Sequence, residues 1–501
     1  TELVQLAGTE GADRPFFSAD GQWIAFTANR KLKKVSVQGG APIAVCDSEW
    51  GGGAWDSDDT IVYTPAYNSG LWRVPASGGT PEKLTEPDRS KRELGHWWPQ
   101  LLPDGETILF TRFSTPIQRS RIGLYSLKTR QEQTLIEGGM FARYLPTGHI
   151  VFARSNTLMA VPFDARRLRV GRESAVVDDV AIELSNGLAQ ASFSANGTLA
   201  YIKASTVRGY QRLVWVDRKG NARPILDEVR DFAYPRLSPD GRRLAVSIRE
   251  KGENWDIWVL DLERGSLTRA TYGASADFEP VWTHDGKRLI FVSEQPVYDL
   301  YSKAVDGSGG EEPLLAGSVD KHPSSISPDG KLLAYWQNEA EGGSDLWLLP
   351  LAGDRKPSLL LRTPFAETQP AFSPDGRWLA YCSNESGRDQ IYIQPFPVPG
   401  QRFQISIESG RSPVWSRNGN ELFFHSGRKV MTVPIKTKPP FVAGTPVVLF
   451  EGDFRESSAA ADFDVAPDGQ RFLMMQRDAQ APRPEIHVVL SWFEELKRRV
   501  K

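Results

Sequence analysis

The residues of this sequence best suited to acid–base chemistry are the aspartates of a recurring Ser-Pro-Asp-Gly tetrapeptide. Asp240, Asp329 and Asp375 each occupy its third position. Proline presets the backbone for the second position of a type I turn, aspartate suits the third, and glycine adopts the left-handed conformation that follows. A catalytic carboxylate is needed once, whereas a turn aspartate is needed wherever the turn recurs. We therefore interpret these aspartates as turn residues.

The histidines show none of the spacings that local metal sites use. They are His96, His149, His284, His322, His425 and His487. No two of them form an H-x-x-x-H or H-E-x-x-H pair. A metal held by ligands from distant repeats would leave no local motif, and His322 is the best candidate for such a ligand. The alternative for His322 is a solvated residue, and we predict neither a metal site nor a cofactor.

Signatures of the common catalytic classes are also missing from the sequence. There is no G-x-S-x-G nucleophile elbow, and no alternating helix–strand stretch is left over to hold a hydrolase domain. The kinase motifs H-R-D and D-F-G are absent as well. The net charge of −2 provides no basic field for a nucleic acid. We therefore predict that the chain is not an enzyme and does not bind nucleic acid.

Two adjacent tryptophans form a candidate binding feature. Trp97 and Trp98 lie in the stretch "GHWWPQ", and on a strand they would face opposite sides. One could pack between sheets, while the other could stack on a sugar or a partner side chain. The other tryptophans recur in register along the chain, which is typical of structural packing.

A repeat of about 45 residues organises the whole chain. Its anchor position is the glycine of the turn. The position occurs eleven times, and an aspartate replaces the glycine once. The anchors are Gly21, Asp59, Gly105, Gly148, Gly197, Gly241, Gly286, Gly330, Gly376, Gly419 and Gly469. Each unit combines strands of alternating polarity with glycine turns, a pattern typical of antiparallel sheet. Four short strands per ~45 residues form the blade of a β-propeller.

Eleven repeats are too many for one ring, because propellers usually carry about four to eight blades. We predict an all-β fold of tandem β-propellers with four-stranded antiparallel blades, divided into domains 1–220 and 221–501. The second ring has six repeats, and 222–227 supplies the missing fourth strand of its last blade. The first ring has five visible repeats, or six if a leading repeat is missing.

The ends of the chain carry two further expectations. The stretch "LVQLAG" at 3–8 could complete the fifth repeat or be the last strand of a missing one. The last repeat is expected to use "IHVVLS" at 486–491 as its third strand. A short helix over 491–500 should follow, capped by Ser491. The longest apolar runs fall far short of the ~20 residues that a membrane helix needs, so this segment is not expected to insert into a membrane.

The repeat units resemble those of TolB-like, WD-related β-propellers. The resemblance is closest at 15–27, 235–248, 280–293 and 370–383. The stretches "RPFFSADGQWIAFTANRKLKKVSVQGGAP" and "IHVVLSWFEELKRRV" are also similar to the C-terminal sensor region of bacterial membrane serine/threonine kinases. That resemblance implies a non-catalytic region outside the cytoplasmic membrane, periplasmic or otherwise extracytoplasmic, tethered by an upstream membrane helix. A cytoplasmic location stays open.

A ligand site is expected where the innermost strands enter the channel of the second ring. The residue before the shared proline position should lie at that mouth. The candidates are Tyr234, Glu279, His322, Gln369, Ser412 and Asp462, with Trp97 and Trp98 in the first ring. The first hypothesis is a binding or sensing module for a protein, peptide or cell-envelope glycan. The alternatives are a propeller lyase or hydrolase with a channel site, and a structural scaffold.

Overall fold

The computed structural model describes most of the chain. The described residues are 6–50, 52–114, 117–183, 186–207, 210–250, 254–273, 275–294, 297–338, 343–398, 400–457, 459–478 and 485–500. Nearly all regular structure within them is antiparallel sheet, as the alternating pattern predicts. The chain divides into two compact units, Thr1–Arg208 with Pro482–Lys501, and Gly209–Ala481.

The first unit contains five blades, numbered here in chain order from their innermost strand. Their strands are, for blade 1, Asp13–Phe17, Trp23–Ala28, Lys31–Ser36 and Ile43–Asp47; for blade 2, Gly53–Trp55, Thr60–Tyr63, Trp72–Pro75 and Glu82–Lys83; for blade 3, Glu93–Leu101, Thr107–Ser114, Arg121–Ser126 and Glu132–Glu137; for blade 4, Met140–Leu145, His149–Arg154, Thr157–Asp164, Arg169–Val170 and Ser174–Val177; and for blade 5, Ala191–Phe193, Leu199–Ile202 and Ile486–Val489. A separate hairpin, Ile182–Glu183 with Leu188–Ala189, precedes blade 5.

The second unit contains six blades. Their strands are, for blade 6, Asp231–Leu237, Arg243–Arg249, Trp255–Asp261 and Leu267–Arg269; for blade 7, Asp277–Trp282, Arg288–Glu294, Tyr298–Ala304 and Glu312–Leu315; for blade 8, Lys321–Ile326, Leu332–Asn338, Ser344–Pro350 and Ser358–Leu361; for blade 9, Glu367–Phe372, Trp378–Ser383, Gln390–Pro395 and Phe403–Gln404; for blade 10, Arg411–Trp415, Glu421–Ser426, Lys429–Lys436, Val442–Ala443 and Val447–Glu451; and for blade 11, Asp464–Val465, Arg471–Arg477, Gln211–Asp217 and Ala222–Pro224. The first strands of these blades contact one another in a closed cycle from blade 6 to blade 11 and back to blade 6. The second unit is therefore a six-bladed propeller.

Helical structure is sparse among the described residues. It consists of the single-turn 3-10 helices Arg89–Lys91 and Ile117–Arg119, the short α-helix Ala204–Val207 and the C-terminal α-helix Trp492–Arg499. The C-terminal helix begins after Ser491, which has a left-handed backbone and makes no side-chain capping hydrogen bond, contrary to the sequence expectation. The helix instead packs onto the first unit through the buried Trp492, Leu496 and Val500.

The hydrophobic core lies between neighbouring blades. Ala380 and Ile391 of blade 9, for example, pack against Trp415 and Leu422 of blade 10. The recurring tryptophans of the first strands bridge the same interfaces, because the Trp415 indole donates a hydrogen bond to the Ala371 carbonyl at 3.1 Å. The in-register tryptophans are thus packing residues, as the repetition indicated.

The Ser-Pro-Asp-Gly tetrapeptide forms the turn between the first two strands of a blade. In blade 6 the Ser238 hydroxyl donates to Asp240 at 2.5 Å, and the Arg242 amide donates to the same carboxylate at 3.1 Å. Gly241 has a φ of 71°, the left-handed conformation that glycine permits. The serine hydrogen bond is the main reason that the pKa of Asp240 is lowered. The aspartate is therefore a turn residue.

The observed units differ from the expected boundary at residue 220 in two ways. Gln211–Asp217 belongs to the second unit, where it is the third strand of blade 11, next to Ala222–Pro224, the observed part of the fourth strand predicted at 222–227. The segment Ile486–Val489, expected in the second ring, pairs instead with Leu199–Ile202 in blade 5. Both differences arise because a strand pairs with the edge of whichever sheet is incomplete. The alternating pattern predicts the strand but does not specify the sheet that it joins.

Residues 3–5 of the expected strand at 3–8 lie outside the described residues, and residues 6–8 form no strand. Leu6, its described apolar residue, packs against Phe26, Ala28 and Val35 of blade 1. The start of the chain therefore covers a face of blade 1 at this point.

Candidate binding site in the second unit

Most of the predicted channel residues occupy the same backbone irregularity. Tyr234, Glu279, Gln369 and Ser412 have φ values of 54°, 57°, 55° and 57°. Each lies where the pairing of the first strand with the second shifts register. A β-bulge of this kind redirects one side chain out of the normal alternation. The repeat therefore uses its proline-flanked bulge to aim one variable residue per blade.

His322 and Asp462 reach the site differently. The register shift in blade 8 lies after His322, between Pro323 and Ser325, which reflects the extra residue in this repeat. Asp462 precedes the short first strand of blade 11, Asp464–Val465.

Two pairs of predicted residues are in direct contact. His322 Nδ1 lies 3.0 Å from Glu279 Oε2, and the imidazole stacks on Trp336 with a centroid distance of 3.9 Å and an interplanar angle of 8°. The Ser412 amide donates to Gln369 Oε1 at 2.8 Å. The carboxylates of Glu279 and Asp462 both act on the buried Tyr234 hydroxyl and add to the effect of burial, which raises its pKa. The structure thus brings the predicted residues together.

Five of the six predicted channel residues are almost completely buried, rather than lining an open mouth, and Tyr234 is half-buried. Glu279 is 2% exposed, His322 5% and Asp462 0%. Residues 454–463, which connect blade 10 to the first strand of blade 11, contact several of the channel residues. We call them the mouth segment; Ser458 within it lies outside the described residues.

Side chains from three blades donate hydrogen bonds to carbonyl oxygens of the mouth segment. Gln369 Nε2 of blade 9 donates to the Ser457 carbonyl at 3.5 Å, the longest of these bonds. The Trp336 indole of blade 8 donates to the Ala459 carbonyl at 3.1 Å. Arg236 of blade 6 donates to the Ala461 carbonyl at 2.7 Å. Carbonyls spaced two residues apart are therefore each held by a different blade.

Arg455 fixes the beginning of the mouth segment to blade 6. Its guanidinium donates to the Phe232 carbonyl at 2.9 Å and lies 3.6 Å from the Asp231 carboxylate. The Arg455 amide donates to the Met475 carbonyl at 2.9 Å, which is the last ladder bond before the segment leaves blade 11. Arg455 thus joins the two blades at which the ring closes.

Asp462 is the least satisfied group of the site. Neither of its carboxylate oxygens has a hydrogen-bond partner among the described residues, and Arg455 Nε is 4.0 Å away. Burial raises the pKa of Asp462 to about 6, while Arg455, Arg236 and the nearby Tyr234 amide act in the opposite direction. A buried carboxylate without a hydrogen bond is costly, so the closed arrangement carries an unfavourable contribution at this position.

The predicted tryptophans of the first unit do not form an exposed platform. Trp97 is 1% exposed, stacks on Phe113 at 4.1 Å and donates to the Tyr67 carbonyl at 3.0 Å. Trp98 is 8% exposed and donates to the Asn186 carbonyl at 2.8 Å. The binding role proposed for one of them is corrected: both indoles belong to the core of the first unit, with their N–H groups satisfied by main chain.

A buried hydroxyl–imidazole–carboxylate array in the first unit escaped the sequence analysis. Thr85 Oγ1 lies 2.7 Å from His96 Nδ1, and His96 Nε2 lies 3.0 Å from Glu93 Oε2. Such an order of groups can activate a nucleophile. Here, however, the threonine oxygen accepts the Leu71 amide at 2.8 Å, and all three side chains are buried.

The hydrogen bond from the Leu71 amide to the Thr85 hydroxyl has equivalents in other blades, which identifies the array as structural. Thr271 accepts the Ile257 amide at 2.9 Å in blade 6, and Ser406 accepts the Ile391 amide at 2.8 Å in blade 9. The hydroxyl residue after the fourth strand thus anchors the third strand in several blades. This recurrence was visible in the sequence as a Thr or Ser at matching repeat positions.

The described part of the chain offers neither a cluster of metal ligands nor a membrane-spanning helix. It contains no group of three or more His, Cys, Asp or Glu side chains placed to hold a metal ion. None of its helices combines the length and the apolar character that crossing a membrane requires.

Parts of the chain are similar to one family model and to a curated protein. Residues 192–342 match the family model described as TolB beta propeller domain (PD40). The uncharacterized peptidase YuxL of Bacillus subtilis is 26% identical over 209 residues, which are 33% of this chain and 31% of that protein. The match therefore spans about a third of the curated relative's length.

Two solved structures are similar to parts of the chain. A protein assigned as TolB from Agrobacterium tumefaciens gives a TM-score of 0.44 at 18% identity, covering 54% of this chain and 98% of that one. TolB from Acinetobacter baumannii gives 0.39 at 14% identity, covering 67% and 80%. With its four-stranded antiparallel blades, the chain is a β-propeller repeat protein whose residues 192–342 match the TolB beta propeller domain.

Proposed function

We propose that the chain is a non-catalytic binding module, and that the mouth of its second propeller binds a segment of a partner protein. The observation that carries this proposal is a set of three hydrogen bonds to carbonyl oxygens of the mouth segment. Their donors are the side chains of Gln369, Trp336 and Arg236. These donors come from three separate blades and converge on one stretch of irregular main chain. Donors aimed at main-chain carbonyls suit a polypeptide ligand, because every peptide offers that acceptor.

The surroundings of the mouth favour a protein segment over other ligands. Ala459 packs beside the apolar side chains of Trp336 and Phe372. Protein sites of this kind combine apolar walls with a few placed polar groups. An extracytoplasmic location and a place within a larger receptor kinase belong to the same proposal and rest on the resemblance of the repeats.

The test requires a mouth from which the chain's own segment has been removed. In the linker variant, residues 455–461 are replaced by a glycine–serine linker of equal length. The probe is a synthetic peptide of residues 455–461, blocked at both ends. Saturation-transfer NMR suits the weak affinity expected of so short a peptide. We expect saturable binding to the linker variant.

A substitution at the mouth links that binding to the proposed donors. Trp336→Phe removes the indole N–H with its five-membered ring and keeps a phenyl ring against His322, so it should weaken peptide binding at least about tenfold, as the loss of one hydrogen bond does. Lys331→Ala, at an exposed turn of the same blade, is the control and should change nothing. A folded linker variant that shows no saturable binding contradicts the proposed function.

A further inference from the structure

The mouth segment is held by the channel in the way that a separate ligand would be held. Its last ladder bond is made by the Arg455 amide, to Met475. Beyond that residue, three of its carbonyls accept hydrogen bonds from side chains of blades 6, 8 and 9, and its Ser457 and Asp462 side chains interact with Tyr234. Within the segment, the Ala459 amide donates only to the Ser457 hydroxyl. The segment is thus bound across the ring rather than built into a sheet.

We propose that the mouth segment is an intramolecular competitor, which occupies the second propeller's mouth until a partner segment of similar chemistry displaces it. This inference rests on the proposed function. The partner segment is expected to carry a cationic residue, followed by small residues such as serine and alanine. The cation takes the place of Arg455 beside Asp231, and the small residues fit where Ala459 and Ala461 lie.

The charges at the two ends of the segment give the partner its polarity. At the beginning, Asp231 attracts Arg455 but also accepts Arg249 at 2.6 Å, so this carboxylate is shared. At the end, the buried Asp462 lies 4.0 Å from the same Arg455 guanidinium, so both carboxylates favour a cation at this position. A cation at the start of the partner segment therefore finds a carboxylate ready to receive it.

The unsatisfied Asp462 also makes the closed state easier to open. Closing the segment buries this carboxylate, and the favourable effects of Arg455, Arg236 and the Tyr234 amide are smaller than the cost of burial, because the pKa of Asp462 stays raised. Opening returns it to water. A tethered segment has a high effective concentration at its own site, so such an unfavourable contribution is needed if a free partner is to compete.

Competition makes a quantitative prediction about affinity. The apparent dissociation constant of an external segment equals its intrinsic value divided by the fraction of molecules with an open mouth. The intact chain must therefore bind the 455–461 peptide more weakly than the linker variant, whose mouth is always open. A variant that loosens the segment without altering the donors must lie between the two.

Arg455→Met is that intermediate variant. It removes the contacts to Phe232, Asp231 and Asp462, while the three donors to the segment's carbonyls stay in place. Arg417→Met is the matched control. Arg417 also donates to carbonyls of blade 6, those of Ser238 and Pro239 at 3.2 Å, but these lie at a turn between strands and not at the mouth segment. Arg417→Met should behave as the intact chain does.

The experiment compares peptide affinity and amide hydrogen exchange in the four proteins. We expect the linker variant to bind at least tenfold more tightly than the intact chain, with Arg455→Met between them. We also expect faster exchange at residues 455–461 in Arg455→Met, and in the intact chain when the peptide is in excess. If the intact chain and the linker variant bind the peptide with equal affinity, the mouth segment does not act as a competitor, and the proposed function is unaffected. Absence of binding to the linker variant overturns both.

Discussion

The imidazole Nδ1 of His322 lies 3.0 Å from Glu279 Oε2, across the boundary between blades 7 and 8. Both side chains are almost fully buried, and Trp336 lies flat against the imidazole. The imidazole edge and the Glu279 carboxyl share a hydrogen bond, so the histidine ring is fixed by stacking on one face and by this bond at its edge. The pair ties neighbouring blades together beside Trp336, the residue that donates to the Ala459 carbonyl of the mouth segment.

The first prediction concerns this pair. His322→Phe keeps a ring on Trp336 but leaves Glu279 buried without its partner, and should lower the free energy of unfolding by about 3 kcal/mol. Glu279→Gln together with His322→Phe should recover part of that loss, because no charge is then stranded. Urea denaturation of both variants measures the difference. His284→Phe, at an exposed turn, serves as the control, and an equal loss in the single and double variants would argue against the pair.

The second prediction concerns the C-terminal helix. Trp492 is 2% exposed and packs beside Phe193 at 5.5 Å, so Trp492→Ala should destabilise the first unit by about 3 to 5 kcal/mol. Arg498→Ala, on the exposed side of the same helix, should have little effect. Scanning calorimetry should show a lower melting temperature for the first unit only. A shift confined to the second unit would contradict the assignment of this helix.

The third prediction separates a turn role from a catalytic role for Asp240. Asp240→Ala removes the acceptor for Ser238 and Arg242 and should cost about 1 kcal/mol of unfolding free energy. Asp240→Asn should be tolerated, since Asn418 already accepts the Ser416 hydroxyl at 2.9 Å in the equivalent turn of blade 10. Thermal denaturation of both variants provides the comparison. Equal destabilisation by alanine and asparagine would show that the charge, not the turn geometry, matters.

The fourth prediction follows from Asp277, a buried carboxyl at the start of blade 7. Burial raises its pKa to about 7, although Ser293 and Thr271 act in the opposite direction. Between pH 4 and 7 the folded protein therefore holds a proton that the unfolded chain has lost. The contribution of Asp277 to stability is present below pH 4 and is lost as the pH rises through 7. A difference of one in pKa corresponds to about 1.4 kcal/mol.

Asp277→Asn should remove this pH dependence. Compared with the unsubstituted chain, the variant should gain relative stability as the pH rises from 4 to 8, measured by urea denaturation at several pH values. Asp285→Asn, in the exposed turn of the same blade, should not, because hydrogen bonds from Thr283 and Lys287 lower the pKa of Asp285. Parallel curves for the unsubstituted chain and Asp277→Asn would contradict the raised pKa.

The repeat period made most of the fold predictable. Turn chemistry is local, so Gly241 and its equivalents counted the blades, and the residue before each proline marked the bulge that aims Tyr234, Glu279, Gln369 and Ser412. The mouth segment was not predictable, because it occurs once and has neither period nor alternation. Its contacts arise from ring closure, which brings Arg455 beside blade 6 although Asp231 is more than two hundred residues away in sequence.

The C-terminal strand shows a second limit of periodicity. Ile486–Val489 alternates as any edge strand does, so the pattern predicted a strand but not its sheet. Its pairing with Leu199–Ile202 follows from where the chain leaves the second unit. Long-range pairing of this kind is decided by connectivity and by which sheet edge is incomplete.

That connectivity has a consequence for the order of assembly. Blade 5 needs Leu199–Ile202 and Ile486–Val489, and the whole second unit is inserted between them. During synthesis the inserted unit has all of its strands before the first unit has its last one. The edge of Leu199–Ile202 therefore stays unpaired until the second unit and Ile486–Val489 have left the ribosome. Closure of so large a loop should be among the slowest steps of folding.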